Sequence, residues 1–197
     1  MRSVPFRDSA DVVPAAAATA AEVAGGGVVL IPTETFYGLA ADPRSAAGVD
    51  AVYEMKGRPR GSALPVLCAD WDQLESLVVV PERFRVRLSR LWPGALTAVM
   101  AVRESLAAAC GTTLAVRIPG HPLLRALLYR VGPLTATSAN RHGTPPCTEA
   151  GKALTQLDPQ PNLVLDGGAT PGGVATTLVD VSGDEPRVLR TGATSWS

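Results

Sequence analysis

Val28-Val29-Leu30-Ile31-Pro32-Thr33-Glu34-Thr35-Phe36-Tyr37-Gly38-Leu39 is the stretch that decides the fold class of this chain. Residues 28–31 form a continuous apolar run without the in-out alternation of a half-wet strand, which predicts a strand buried on both faces. Pro32 ends the run, and hydroxyl, carboxyl and phenol groups crowd just past it. Before it, the Ala-rich residues 15–24 stop at Gly25-Gly26-Gly27, the pattern of a helix closed by glycine.

Further elements follow the same logic. Ser45 can cap a helix running through Met55, with Val49, Val52, Tyr53 and Met55 as its apolar positions. Residues 64–67 suggest another buried strand, Asp70 opens a short helix, and Pro81 sits in the first turn of a helix reaching Leu91. Residues 96–102 and 114–118 are strand-like, 122–130 helical, and 134–137 a short strand entering a Ser138-Ala139-Asn140 turn. Residues 148–157 suggest a helix, 163–165 a strand, and 176–181 with 187–190 a final strand pair. The Gly/Pro-rich residues 167–173 suggest a mobile surface loop. Helices and strands alternate, yet several strands follow one another directly. An α/β fold is therefore expected, with a twisted mixed sheet, parallel and antiparallel, and helices on its faces.

The 197 residues fit a single domain, 1–197, with no repeat and no linker long enough to divide it. Eighteen basic and 18 acidic residues cancel, so any affinity for nucleic acid has to come from a local patch. Cys68, Cys110 and Cys147 are odd in number and lack a Cys-x-x-Cys spacing. They suggest small core residues in a reducing compartment rather than a disulfide framework or a zinc site. Asp8, Asp11, Pro14 and Glu22 interrupt the apolar start, and no run approaches the ~20 residues that span a bilayer. A cytoplasmic protein without membrane contact is expected.

Several chemistries are disfavoured. There is no Gly-x-x-x-x-Gly-Lys-Ser/Thr, no Gly-x-Gly-x-x-Gly and no Gly-x-Ser-x-Gly. His121 and His142 are the only histidines, which argues against a histidine metal site, and no metal ligands are assigned. What remains is arginine, lysine, hydroxyls and backbone donors, groups suited to phosphates and carboxylates. These polar groups gather where strands stop, at residues 32–39, Lys56-Gly57-Arg58-Pro59, residues 117–122, and Thr137-Ser138-Ala139-Asn140. Ligands of α/β sheets bind at such strand ends.

Together these segments resemble the YrdC-type threonylcarbamoyl-AMP synthase family. Its Pro-Thr-x-Thr-x-Tyr-Gly-Leu stands at residues 32–39, its Lys-x-Arg at Lys56 and Arg58, and its Trp-Pro-Gly-x-Leu-Thr at 92–97. Val-Arg-x-Pro-x-His-Pro follows at 116–122 and Ser-x-Asn at Ser138 and Asn140. Asp-Gly-Gly, Thr-Thr-x-x-Asp and Leu-Arg-x-Gly signals begin at Asp166, Thr176 and Leu189. Order and spacing hold over residues 8–193.

The resemblance implies a YrdC-like fold with a concave basic groove, in its single-domain form. It also implies a reaction in which L-threonine and bicarbonate form N-carboxythreonine, whose carboxylate attacks the α-phosphate of ATP and releases pyrophosphate. ATP is then a substrate, with Mg2+ expected to accompany it. Tyr37, Thr33, Thr35 and Arg117 correspond to the threonine site; Lys56, Arg58, Ser138, Asn140, Thr176 and Arg190 correspond to the nucleotide site, with Lys56 and Arg58 as catalytic residues. The partners implied are tRNA-modifying proteins, with possible binding of tRNA or double-stranded RNA.

Each assignment also has an ordinary structural explanation. Lys and Arg favour helix C-termini, Ser and Asn favour turns, and His121 suits a turn better than a catalytic base. Three departures stand out: Ala175-Thr176-Thr177 where the family often has Glu-Ser-Thr, Ala95 in place of a proline, and Arg141-His142 beside Asn140. Two alternatives stay open at this level. One is a relative that transfers a different carbamoyl group. The other is a non-catalytic RNA-binding module using Arg83, Arg87 and Arg90 with Lys56, Arg58 and Arg60.

Overall fold

The structure, a computed structural model, describes residues 1–61 and 63–196. Among the described residues, twelve strands form two mixed sheets rather than one. The first contains β1 (Arg2–Pro5), β2 (Val29–Pro32), β3 (Tyr37–Ala40), β9 (Thr137–Ser138) and β10 (Leu163–Asp166), in the order β1-β10-β2-β3-β9. The second contains β4 (Val66–Leu67), β6 (Leu96–Val102), β7 (Thr113–Arg117), β8 (Leu134–Thr135), β11 (Thr177–Asp180) and β12 (Arg187–Arg190). Its order is β12-β11-β6-β7-β4-β8, with β5 (Val78–Val79) pairing β6 from the side. Parallel pairs (β1 with β10, β6 with β11) sit beside antiparallel ones (β2 with β3, β6 with β7), as the mixed pattern predicts.

The run at residues 28–31 is buried on both faces, and each face has its own cover. Val28 and Leu30 join Val49 and Val52 of helix α2 (Ala46–Lys56) in the larger apolar cluster. Val29 and Ile31 face α1 (Val12–Ala24) and, through it, α5 (Pro122–Val131), where Ala15, Leu124, Leu127 and Leu128 are fully buried. Burying an aliphatic side chain of this size stabilises by roughly 1.5–3 kcal/mol. The larger cluster continues under α3 (Trp71–Leu77) and α4 (Glu82–Leu91), so both sheets share one core.

Caps fall close to where the residue types place them. Ser45 accepts from the Gly48 N–H and Asp70 from the Gln73 N–H, each closing a helix N-terminus. Pro81 is the residue before α4 rather than in its first turn. Three expectations change. The helix at 148–157 shrinks to α6 (Ala150–Leu154), because the carbonyls of Cys147 and Thr148 serve the N–H groups of Tyr37 and Thr170 instead. Residues 134–138 are two short strands in different sheets, because the chain crosses between them at Ala136, whose N–H bonds Pro65 O. Cys110 is exposed, with its thiol 3.3 Å from Gly61 O, while Cys68 and Cys147 are buried. Among the described residues no helix is long and apolar enough to cross a membrane.

Candidate functional site

The turn between β2 and β3 is built by one hydroxyl. Thr33 Oγ1 accepts the N–H groups of Thr35 (3.1 Å) and Phe36 (3.3 Å) and donates to Phe36 O at 2.8 Å. Such a local side-chain bond folds the backbone without a regular hairpin turn. It sets the Thr33 and Thr35 hydroxyls 3.1 Å apart. Strand β3 then leaves antiparallel to β2, with Pro32 opposite Tyr37. Tyr37 has no exposed surface. Its hydroxyl donates to Gly168 O at 2.7 Å and accepts the Gly167 N–H at 3.1 Å, and burial pushes its pKa up. The phenol thus fastens the 167–173 loop rather than lining an open pocket. Gly172 N to Thr35 O (2.7 Å) and Thr170 N to Thr148 O (2.8 Å) hold the loop further along.

Lys56 and Arg58 part company at Gly57. Lys56 is the last residue of α2, and Gly57 takes the left-handed conformation at φ 57°, which a residue with a Cβ enters only with strain. The Arg58 N–H returns to Tyr53 O at 3.0 Å, closing the helix end. Lys56 consequently points inward, 3% exposed. Its ammonium donates to the carbonyl of Ser138, to Asn140 O at 2.8 Å and to Asn140 Oδ1 at 3.4 Å. Burial, followed by the nearby Arg58 charge, lowers its pKa to about 8. Arg58 is half-buried, and among the described residues its guanidinium makes no ion pair.

The Ser138–Asn140 turn is held from several sides. Its Asn140 amide nitrogen donates to Arg141 O (3.0 Å) and Thr144 O (2.6 Å), while the His142 N–H bonds Lys56 O at 2.7 Å. The Ala139 N–H bonds Tyr37 O at 2.8 Å, tying the turn to β3. The Ser138 side chain stays exposed. Sequence reasoning brought Lys56, Ser138 and Asn140 together, and they do meet. Their meeting is a structural weld, with Ser138 and Arg58 left as its outward-facing polar groups.

Arg117 is the second buried cation. It is 6% exposed, its Nε donates to Gly94 O at 3.0 Å, and its Nη2 forms an ion pair with Glu34 Oε1. Burial lowers its pKa, and the Glu34 carboxylate opposes that shift. The same Oε1 accepts the Gly120 N–H at 2.6 Å. Glu34 was not among the sequence-derived site residues. Its signal was present as an acidic residue between two hydroxyls at a strand end. His121 caps α5, with Nδ1 accepting the Leu124 N–H at 3.2 Å, and burial lowers its pKa. A neutral ring used as a cap acceptor matches the structural role expected of it.

Thr176 and Arg190 form a fourth group. Arg190 donates from Nε (3.1 Å) and Nη2 (2.9 Å) to Thr176 O, and from Nη2 to Thr176 Oγ1 at 3.1 Å. Thr176 Oγ1 lies 3.0 Å from Thr97 Oγ1. Ala98 pairs with Val116, and Thr97 and Arg117 are the residues just beyond that pair on β6 and β7. The end of β7, the starts of β6 and β11 and the end of β12 therefore share one edge. Glu34 links that edge to the β2–β3 turn, and the β3–β9 ladder links it to Ser138. All ten residues assigned from sequence lie in this connected region. Its hydroxyls and cations suit an anionic ligand.

Comparison with known proteins shows the family of this chain. The family described as "Telomere recombination", comprising Sua5, YciO and YrdC, matches residues 22–192. A Mycobacterium tuberculosis relative is 37% identical over 177 residues, 88% of this chain and 82% of its own. The Bacillus subtilis threonylcarbamoyl-AMP synthase is 40% identical over 171 residues, 84% of this chain and 49% of that protein. The crystal structure of P. abyssi Sua5 complexed with L-threonine superposes with a TM-score of 0.89 at 32% identity, covering 98% of this chain and 58% of that one. The chain thus spans about half the length of these last two relatives.

Proposed function

Because this chain belongs to the Sua5/YciO/YrdC family, we propose that it is a threonylcarbamoyl-AMP synthase acting as a single 1–197 domain. L-threonine and bicarbonate condense to N-carboxythreonine. One carbamate oxygen then bonds to the α-phosphorus of ATP, and the bond from that phosphorus to the β-bridging oxygen breaks, releasing pyrophosphate. The mixed anhydride goes to a tRNA-modifying partner. Positioning and charge neutralisation supply most of the rate in such a phosphoryl transfer.

The main support is the P. abyssi Sua5 structure holding L-threonine, which covers 98% of this chain. On this proposal Arg58 and the Ser138 hydroxyl meet the phosphates, with Mg2+ arriving on ATP. Lys56, from beneath, holds the Ser138–Asn140 turn in place and adds positive charge. Thr176, oriented by Arg190, presents its hydroxyl at the other side. Thr33 and Thr35 receive the threonine side chain, and Arg117 its carboxylate. Tyr37 shapes that pocket through the 167–168 backbone. Lys56, Arg58, Arg117 and Arg190 together make the groove basic.

The test is release of pyrophosphate from ATP with each substrate withheld in turn. Release is expected only when L-threonine and bicarbonate are both present. Release that ignores threonine would sink the assignment.

A further inference from the structure

Glu34 holds an unusual position for a carboxylate. It sits in the four-residue turn at 33–36, yet its contacts are made with the far segment at 117–120. Oε1 forms the ion pair with Arg117 Nη2 and accepts the Gly120 N–H, while Oε2 and Nη2 are both buried without a hydrogen-bond partner among the described residues. Exchanging a buried ion pair for apolar residues is often neutral or stabilising, so the pair is a poor device for stability alone. Its geometric effect is definite. Arg117 is pinned at Nε by Gly94 O and at Nη2 by Glu34, which fixes the plane of the guanidinium. Nη1 has no hydrogen bond among the described residues and, unlike Nη2, is not buried from solvent, so it is the donor open to a ligand.

Glycine at 120 is part of the same construction. A Cβ there would stand 3.3 Å from Glu34 Oε1 and 3.7 Å from its carboxyl carbon, tight enough to move the carboxylate by a few tenths of an ångström. The turn approaches the carboxylate because that position carries no side chain.

We propose that Glu34 is a positioning residue for the amino-acid substrate: it holds Arg117 so that Nη1 alone faces the substrate carboxylate, and its negative charge leaves Arg117 room for one further carboxylate rather than two. This rests on the assignment of the amino-acid site to residues 33–37 and Arg117. Without Glu34 the fork is free to rotate and presents both Nη groups to any small anion.

The experiment uses the full chain with Glu34→Gln, which keeps size and an acceptor oxygen but removes the charge, and Gly120→Ala, which keeps the charge and displaces it. The KM for L-threonine is expected to rise about tenfold in Glu34→Gln and severalfold in Gly120→Ala, with the KM for ATP within twofold of the original. An unchanged KM for threonine in both, or an equal rise in the KM for ATP, overturns the proposal. Arginine side-chain NMR gives a second readout that needs no substrate. Rotation of the Arg117 guanidinium is expected to be slow in the original chain and fast in Glu34→Gln, and equal rates in the two would also overturn it. Slowed rotation together with pyrophosphate release that ignores threonine would instead show that the pair works as described while the functional assignment fails.

Discussion

The Tyr37 hydroxyl and the Gly168 carbonyl oxygen lie 2.7 Å apart, with the Gly167 N–H reaching the same hydroxyl from the other side. A residue at the start of β3 therefore pegs a loop 130 residues further along the chain. Tyr37→Phe removes both bonds and leaves two half-buried backbone groups unmet, at about 1–2 kcal/mol of stability. Amide exchange is expected to speed up at residues 167–172 well beyond any global change. Exchange that rises evenly across the chain would show that the peg does not matter locally.

Lys56 and Arg58 should differ in what their loss does. Lys56→Met strips three donor bonds from the Ser138–Asn140 turn and is expected to cost about 2–4 kcal/mol of stability besides most of the activity. Arg58→Gln touches no ion pair and should leave stability within about 0.5 kcal/mol. Its activity should nevertheless fall by about 100-fold or more. Thermal unfolding beside pyrophosphate release separates them, and equal melting temperatures for the two variants would contradict the burial of Lys56.

The Lys56 ammonium should titrate near pH 8 in the folded chain, against an ordinary value of 10.5. Between those limits the unfolded chain binds the extra proton, so stability rises with pH by this contribution; below about pH 8 both states are protonated and the contribution is flat. Activity that needs the ammonium should fall along an alkaline limb near pH 8. Because the Arg58 charge is the second cause of the shift, Arg58→Gln should move the titration upward. Lysine side-chain NMR follows it directly, and a midpoint near 10.5 in the unaltered chain would dismiss the effect.

Arg190 is exposed as a residue, yet its guanidinium spends three hydrogen bonds on Thr176. A lysine keeps the charge and loses the fork. Arg190→Lys is expected to raise the KM for ATP about five- to tenfold, corresponding to about 1–1.4 kcal/mol, while the KM for threonine stays within twofold. If the threonine KM moved instead, Thr176 would belong to the other substrate.

Much of the fold was legible because its signals were local. The apolar run at 28–31, the caps at Ser45 and Asp70, and the strands at 96–102 and 187–190 appear where residue type and period place them. Strand β1 escaped because Arg2–Pro5 is mostly exposed and owes its place to pairing with β10. Strand β3 was hidden inside what looked like a turn, since a hydroxyl bend needs no glycine or asparagine signature. The site residues were found as types and order, but not their directions. Nothing local says that Lys56 and Arg58 diverge at Gly57, or that Arg117 is already answered by Glu34. Such facts depend on which segments meet, and one sequence does not record that.

The two sheets are interleaved along the chain. Strands β1 to β3 lie in the first, β4 to β8 in the second, β9 and β10 in the first again, and β11 and β12 in the second. During synthesis, β1 waits for residues 163–166 before it has a neighbour, and β6, which already pairs with β5 and β7, waits for residues 177–180 before its other edge is covered. No truncated chain short of those segments carries either sheet complete. The strand ends that carry Arg117, Thr176 and Arg190 can therefore come together only once residues 177–190 have been made, and a chain cut short of them presents no part-built version of that edge.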